Sequence, residues 1–263
     1  PYGGPNDVWC ADFKGDFQMG DRTRCHPLTV MDGCTRYLLK CEGLKNQKTE
    51  PVREQFELAF REYGLPKRIR TDNGAPFASK ALGGLSKLSV WWIRLGIVPE
   101  RIEPGHPEQN GRHERMHKTL KAKTAKPPER DMRAQQRAFD LFRTEYNEER
   151  PHEALGQVPP SRRYALSVRE YDGTERSPEY DMDWRVRRVN LSGAAKWKGE
   201  WLRLGAVFNG EPIGFKQTDE DRWDAYYGHV LLGEIDMRQE HPKIKRKSVS
   251  NGARTPTAMP VSK

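Results

Sequence analysis

The sequence predicts an α/β fold, a mixed five-stranded sheet flanked by helices, followed by a small antiparallel β-barrel. Three observations carry that prediction. Three extended, turn-bounded segments open the chain; helical and extended segments then alternate; and after residue 165 the composition shifts to a charged stretch and then to short β-rich runs. A meander followed by helix–strand alternation gives a mixed sheet with helices on both faces. Short strands at intervals of about 8–12 residues give a small barrel.

The elements follow in order. "DVWCADFKGDF" (7–17), "CHPLTVMDG" (25–33) and "RYLLKCEGL" (36–44) read as an antiparallel meander, with Asp32-Gly33 in the second turn. "TEPVREQFELAFREYG" (49–64) reads as a helix with Thr49 as N-cap and Pro51 in its first turn. Val52, Phe56, Phe60 and Tyr63 share one face, and Gly64 ends it. "KRIRTD" (67–72) returns as a strand around Ile69, "SKLSVWWIRL" (86–95) as a short amphipathic helix, and "GIVPERIEP" (96–104) as the last strand. A long helix is expected from about Gln109 to Lys126 after an entry set by Pro107. Another is expected from about Asp131 to Tyr146, with Phe139, Phe142 and Tyr146 on one face.

Charge restricts the partners. The chain has 46 Lys and Arg against 37 Asp and Glu, a net charge of +9 and a pI near 9.4, which favours polyanions. No run of 18 apolar residues marks a membrane helix, and no signal peptide is expected. Pro1 in place of an initial Met is expected of a trimmed N terminus. The four cysteines, Cys10, Cys25, Cys34 and Cys41, form no paired zinc spacing and are expected as reduced thiols in a cytosolic protein.

Three carboxylates suggest chemistry. Asp12 stands within an apolar strand, where an acid needs a cleft or a cation. Asp72 stands at the end of a strand, in "RTDNGAPF" (70–77), where Asp-Asn-Gly also makes an ordinary turn. Glu114 lies in the long helix, with Lys118 and Lys121 on the same face at i+4 and i+7. Three such acids at one sheet edge repel one another unless a hard cation sits among them, and magnesium is the natural choice. His113-Glu114 and His117 also spell H-E-x-x-H, the spacing of a zinc protease. That reading leaves the basic composition, the "TDNG" strand end and the Lys118/Lys121 row unexplained.

"WCADF" (9–13), "TDNGAPF" (71–77) and "HPEQNGRHERMHKTLK" (106–121) resemble the three catalytic segments of retroviral integrases and of bacterial insertion-sequence transposases. "YNEERPHEALGQVPPSRRY" (146–164) resembles the segment that closes the catalytic core of those transposases, so the likeness spans about residues 5 to 165. The resemblance implies a ribonuclease-H-like core, a two-magnesium site in which manganese can substitute, and DNA strand transfer. By the match, Asp12, Asp72 and Glu114 are the metal ligands. The family's common spacing from the second acid falls on Glu108. The local pattern of Pro107, Gly111 and Glu114 favours Glu114, as does its position more than a turn inside the helix. Glu108 merely complements the dipole at the helix entry. The six extra residues fit an insertion at "ALGGLSKL", where Gly83-Gly84 signals a flexible link.

The implied reaction is in-line displacement at a phosphodiester, first by water and then by the freed 3′-hydroxyl. No nucleotide cofactor is implied, since no G-x-x-x-x-G-K loop occurs. Asn73 and Asn110 match polar positions near the DNA, although turn and capping roles suit them equally. The partners implied are double-stranded DNA, both element ends and target, and further copies of the chain on that DNA. The expected location is the bacterial cytoplasm, on the nucleoid. A domesticated DNA-binding protein and a plain nuclease are the alternatives. No helix-turn-helix or zinc module precedes the core, so recognition of specific ends is expected in a removed N-terminal region.

The domain reading is a catalytic core over 1–165, a linker over 166–183, a barrel over 184–240 and a basic disordered tail over 241–263. The barrel resembles the SH3-like C-terminal barrel of the same proteins by architecture. Arg185, Arg187, Arg188, Lys196, Lys198 and Arg203 are its candidate phosphate contacts. Trp184, Trp197, Trp201 and Trp223 are expected in its core.

Overall fold

The structure, a computed structural model, describes residues 3–102 and 111–246. Glu108, Asn110, the Pro107 helix entry and the last seventeen residues, 247–263, lie outside the described residues. Pro1–Ser79 with Lys87–Glu175 form one compact unit, and Lys80–Ser86 with the chain from Arg176 onward form another.

The first unit is built on the predicted mixed sheet. Strand β3 (Arg24–Asp32) runs antiparallel to β1 (Val8–Phe13) and to β4 (Leu38–Leu44), while β5 (Arg68–Thr71) and β6 (Val98–Arg101) run parallel to β1. The spatial order is β4-β3-β1-β5-β6. A sixth, two-residue strand β2 (Phe17–Gln18) pairs with the start of β3. It exists because Gly15, at φ +63°, bends the expected single run of residues 7–17 out of line after Phe13.

Alternation along the strands makes two cores. Trp9 and Ala11 of β1, Leu28 and Val30 of β3 and Ile69 of β5 pack under α1 (Thr49–Tyr63) and α2 (Lys87–Arg94). Met31, Leu38 and Cys41 meet Met116, Leu120, Phe139 and Phe142 of α3 (Gly111–Thr124) and α4 (Met132–Thr144) on the opposite side. Helix α1 buries Val52, Phe56, Ala59, Phe60 and Tyr63, one apolar stripe, and Gly64 at φ 77° closes it. Its N-cap is Lys48, extended and without a side-chain cap, so the expected Thr49 cap is instead the first helical residue. Asp131 does cap α4, accepting the Ala134 N–H at 2.8 Å. That helix gives way after Thr144 to a π-turn over Glu145–Glu149, which keeps Tyr146 in the core.

Residues beyond Tyr164 tie back to the start of the unit. The Tyr164 hydroxyl donates to Asn6 Oδ1 at 2.9 Å, Ser167 Oγ to the Leu65 carbonyl at 2.6 Å and Arg169 to the Pro66 and Leu95 carbonyls at 2.6 and 3.0 Å.

The second unit differs from the expected closed barrel. Among the described residues it has a four-stranded antiparallel sheet, β12 (Val230–Asp236), β11 (Arg222–Tyr227), β10 (Pro212–Asp219) and β7 (Arg185–Arg188), plus a separate hairpin of β8 (Ala194–Trp197) and β9 (Glu200–Arg203). The four-residue strands of the hairpin end at Gly193 and Gly205, both at positive φ, so no ladder runs from β7 into β8 or from β9 into β10. One core nevertheless joins them: Trp197 of β8 stacks on Phe215 of β10 at 4.3 Å and meets Trp223 of β11 edge-on at 4.9 Å. The Gly83-Gly84 stretch is packed rather than free. A Cβ added at Gly83 would meet Leu232 and Val230 of β12 at 3.0 and 3.1 Å.

Candidate active site

Register places the two aspartates. Ala11 of β1 pairs with Thr71 of β5, and these are the last partners in that parallel ladder. Asp12 and Asp72 follow them, side by side at the carboxyl ends of adjacent strands, the end at which open α/β sheets bind ligands. Asp12 also pairs with Thr29 of β3, so its side chain leaves the sheet on the α3 side. The Asp12 side chain is 17% exposed, which leaves it reachable from solvent. Asp72, also half-buried, accepts the Gly74 N–H at 3.0 Å, and Asn73 donates to the Ile102 carbonyl at 3.1 Å. Asn73 thus braces the loop against the end of β6.

Helix α3 reaches this edge through its histidines. His113 and His117 are buried, their rings 4.6 Å apart, and each Nε2 lies 2.7 Å from Thr29 Oγ1. The same hydroxyl is 3.2 Å from the Asp12 carbonyl oxygen, and His117 Nδ1 is 3.9 Å from Asp12 Oδ2. Burial pushes His113 down to about 3. Burial, helped by His113 and Lys14, pushes His117 down to about 2. The Asp12 carboxylate would favour a charged His117, but burial outweighs it, and both rings are neutral.

Glu114 stands exposed in the same turn of α3, one residue after His113, and Lys118 and Lys121 are exposed further along. Among the described residues no group of three His, Cys, Asp or Glu side chains is assembled to hold a metal ion. The structure places Asp12 and Asp72 at the ends of adjacent strands and Glu114 on the exposed surface of α3. The H-E-x-x-H histidines face a threonine of the sheet, which accounts for their i,i+4 spacing without zinc. The other acids nearby are engaged. Buried Asp32 accepts from the Asn6 N–H and from both the N–H and the hydroxyl of Thr35. Glu100 pairs with Arg68 and Arg70.

In the second unit Arg185, Arg187 and Arg188 are exposed along β7, as are Lys196, Lys198 and Arg203 on and beside the hairpin. Arg187, Arg188, Asn190, Lys196, Lys198 and Trp201 line an open groove. Trp201 is 60% exposed, whereas Trp197 and Trp223 are core residues, so the expectation of a buried Trp201 fails. The signal was present: in "EWLR" the buried Leu202 takes the inward face and alternation turns Trp201 outward. Thr29 was also missed, though it is the one hydroxyl-bearing residue in the run "PLTVM".

Two family models described as "Integrase core domain" match residues 3–107 and 95–160, and one described as "IS481 family transposase, C-terminal domain" matches residues 184–243. The insertion element IS407 uncharacterized 31.7 kDa protein of Burkholderia multivorans is 32% identical over 161 residues, covering 60% of this chain and 55% of that protein. The IS476 uncharacterized 39.2 kDa protein of Xanthomonas euvesicatoria is 32% identical over 161 residues, 60% of this chain and 44% of its own length. The chain spans about half the length of these curated relatives. Among solved structures, a chain of the simian T-cell lymphotropic virus intasome in complex with PP2A regulatory subunit B56 gamma superposes with a TM-score of 0.51. It is 16% identical, with 87% of this chain and 78% of that chain covered, and the likeness is one of fold.

Proposed function

Because the chain belongs to the integrase-core superfamily, on the side of the insertion-sequence transposases, we propose that it cleaves the ends of a mobile DNA element and joins them to target DNA. The observation that supports this reading is the position of Asp12 and Asp72, each one residue past the last partners, Ala11 and Thr71, of two neighbouring parallel strands. Glu114 is the third acid of the reading, supplied from α3.

The donor chemistry fits a hard divalent cation. Magnesium needs only one or two protein carboxylates and completes its shell with water and phosphate oxygens. Asp12 and Asp72 would hold such ions, with Glu114 joining them. A magnesium ion held by these carboxylates, or manganese in its place, would supply neutralisation of phosphate charge and activation of the attacking oxygen. The chain's own groups supply the positioning. The Gly74 N–H restrains the Asp72 carboxylate, and Asn73 anchors the loop behind it. Lys118 and Lys121, exposed along α3, would take phosphates near the scissile bond, and Asn110 would order the nearby end. The cations of Arg185, Arg187, Arg188, Lys196, Lys198 and Arg203 would hold duplex backbone, with Trp201 among them for a base. No nucleotide cofactor enters, and further copies of the chain would assemble on the DNA, in the cytoplasm on the nucleoid.

The test is incubation of the protein with end-labelled linear DNA and Mg²⁺. Joined products longer than the substrate are expected, and Asp12→Asn and Asp72→Asn should each abolish cleavage and joining while the fold and gross DNA binding remain. Shortened fragments without joined products would indicate a plain nuclease, and binding without either would indicate a DNA-binding protein. Substantial activity in Asp72→Asn would overturn the site.

A further inference from the structure

We propose that His117 is a positioning residue for the Asp12 carboxylate, holding it through the Nδ1–H end of a hydrogen-bonded relay that runs from His113 through Thr29. The proposal rests on the reading of Asp12 as a functional acid, and its tautomer claim is testable apart from that reading.

The argument is one of proton counting. A threonine hydroxyl has one proton to give and two lone pairs, and a neutral imidazole has one N–H and one lone pair. Thr29 Oγ1 lies 2.7 Å from both His113 Nε2 and His117 Nε2, so each ring must either donate to it or accept from it. Three arrangements satisfy both short contacts. If both rings donate, the hydroxyl proton turns to the Asp12 carbonyl, 3.2 Å away. His117 Nδ1 is then a bare lone pair 3.9 Å from Asp12 Oδ2, two acceptors opposed where the histidine is buried and the aspartate half-buried. If His117 donates and His113 accepts, the same opposition remains. His113 then also carries a proton on Nδ1, which is buried and has no hydrogen-bond partner.

The third arrangement removes both faults. His113 Nε2–H donates to Thr29 Oγ1, the Thr29 hydroxyl donates to His117 Nε2, and the His117 proton sits on Nδ1, directed at Asp12. This arrangement gives up the 3.2 Å hydroxyl contact to the Asp12 carbonyl and leaves the lone pair of His113 Nδ1 unmet. At 3.9 Å the last link is a charge–dipole contact, a separation that one bridging water also spans. A proton aimed at one carboxylate oxygen restricts rotation of the Asp12 carboxyl group, which is what a group behind a metal-binding or phosphate-facing acid does.

Long-range ¹⁵N–¹H correlation spectra of the histidine rings in the full, metal-free chain decide the tautomers. The expected result is a proton on Nδ1 of His117 and on Nε2 of His113. A proton on Nε2 of His117 overturns the relay, whatever the chain does to DNA. A second arm reads Mn²⁺ affinity by water-proton relaxation. His117→Leu should weaken it by about 10–100-fold, and His117→Asn, whose amide N–H₂ takes the place of Nδ1–H, should recover most of the loss. Equal affinity in the unchanged protein and His117→Leu would overturn the positioning role. Failure of the unchanged protein to bind Mn²⁺ would count against the functional reading, and the spectra would still decide the relay.

Discussion

Mild acid is expected to loosen the core unit through His113 and His117. Both rings are almost wholly buried, at 1% and 2% exposure, and their folded-state pKa values of about 3 and about 2 lie far below the ordinary 6.5. A histidine whose folded pKa is depressed stays neutral in the native protein while the unfolded chain takes up its proton. Stability is therefore full above pH 6.5 and falls as the pH drops, until the folded groups themselves protonate near pH 3. Between pH 7.5 and 5.5 each ring contributes a loss of about 1.4 kcal/mol, set by one unit below the unfolded pKa, and the pair about 3 kcal/mol. That is a large part of a typical net stability of about 5–15 kcal/mol. The nearby charged groups do not reverse the sign: Lys14 pushes the same way, and Asp12 is outweighed by burial. The assay is urea unfolding followed by the far-ultraviolet helix signal, which reports this unit because α1–α4 all lie in it. The midpoint should fall by on the order of 1 M urea over that interval. His152, also depressed by burial, adds a smaller slope of the same sign. The double variant His113→Phe/His117→Leu should lose most of the dependence. A pH dependence unchanged by that double variant would refute the reasoning.

Thr29→Val should cost about 2–4 kcal/mol in the same assay, because two buried ring nitrogens lose their partner; adding the two histidine replacements should return part of the loss, and strict additivity would argue against a shared node. Glu114→Gln should be inactive in DNA joining while Glu108→Gln keeps most activity; the reverse would move the third acid to the helix entry. Trp201→Ala should change stability by no more than about 0.5 kcal/mol yet weaken binding of single-stranded DNA by about 1–3 kcal/mol. Unaltered affinity in a fluorescence-anisotropy titration would leave Trp201 as plain surface.

The legibility of the fold varied with how local each determinant is. The meander, the α1 stripe of Val52, Phe56, Phe60 and Tyr63, and the place of Asp72 after Thr71 depend on residues close in the chain, and periodicity revealed them. Asp12 was legible because an acid among Trp9, Cys10 and Ala11 has no reason to be there unless the strand end opens. The histidine pair was legible only as a spacing, since i,i+4 serves a metal site and a core contact alike; the choice is made by Thr29, 88 residues from His117. Closure of the second unit likewise depends on ladders between distant strands. There the pattern of short strands gave the right class of core and the wrong hydrogen bonding. Thr49 was misplaced as a cap because Lys48, which fills that position, has no side-chain acceptor to announce it.

The separation between Thr29 and His117 has a consequence for the growing chain. Protein synthesis adds about 5–20 residues per second, so the 88 residues from β3 to His117 take roughly 4 to 18 s. In the second half of that interval both aspartates have been made, while the helix that carries Glu114 is still incomplete. A ribosome-bound chain at that stage holds two of the three proposed acids and, of the relay behind them, Thr29 alone. On this reading of the site, nuclease competence is acquired only once α3 has been made, and a prematurely terminated product lacking α3 is harmless to the DNA around it.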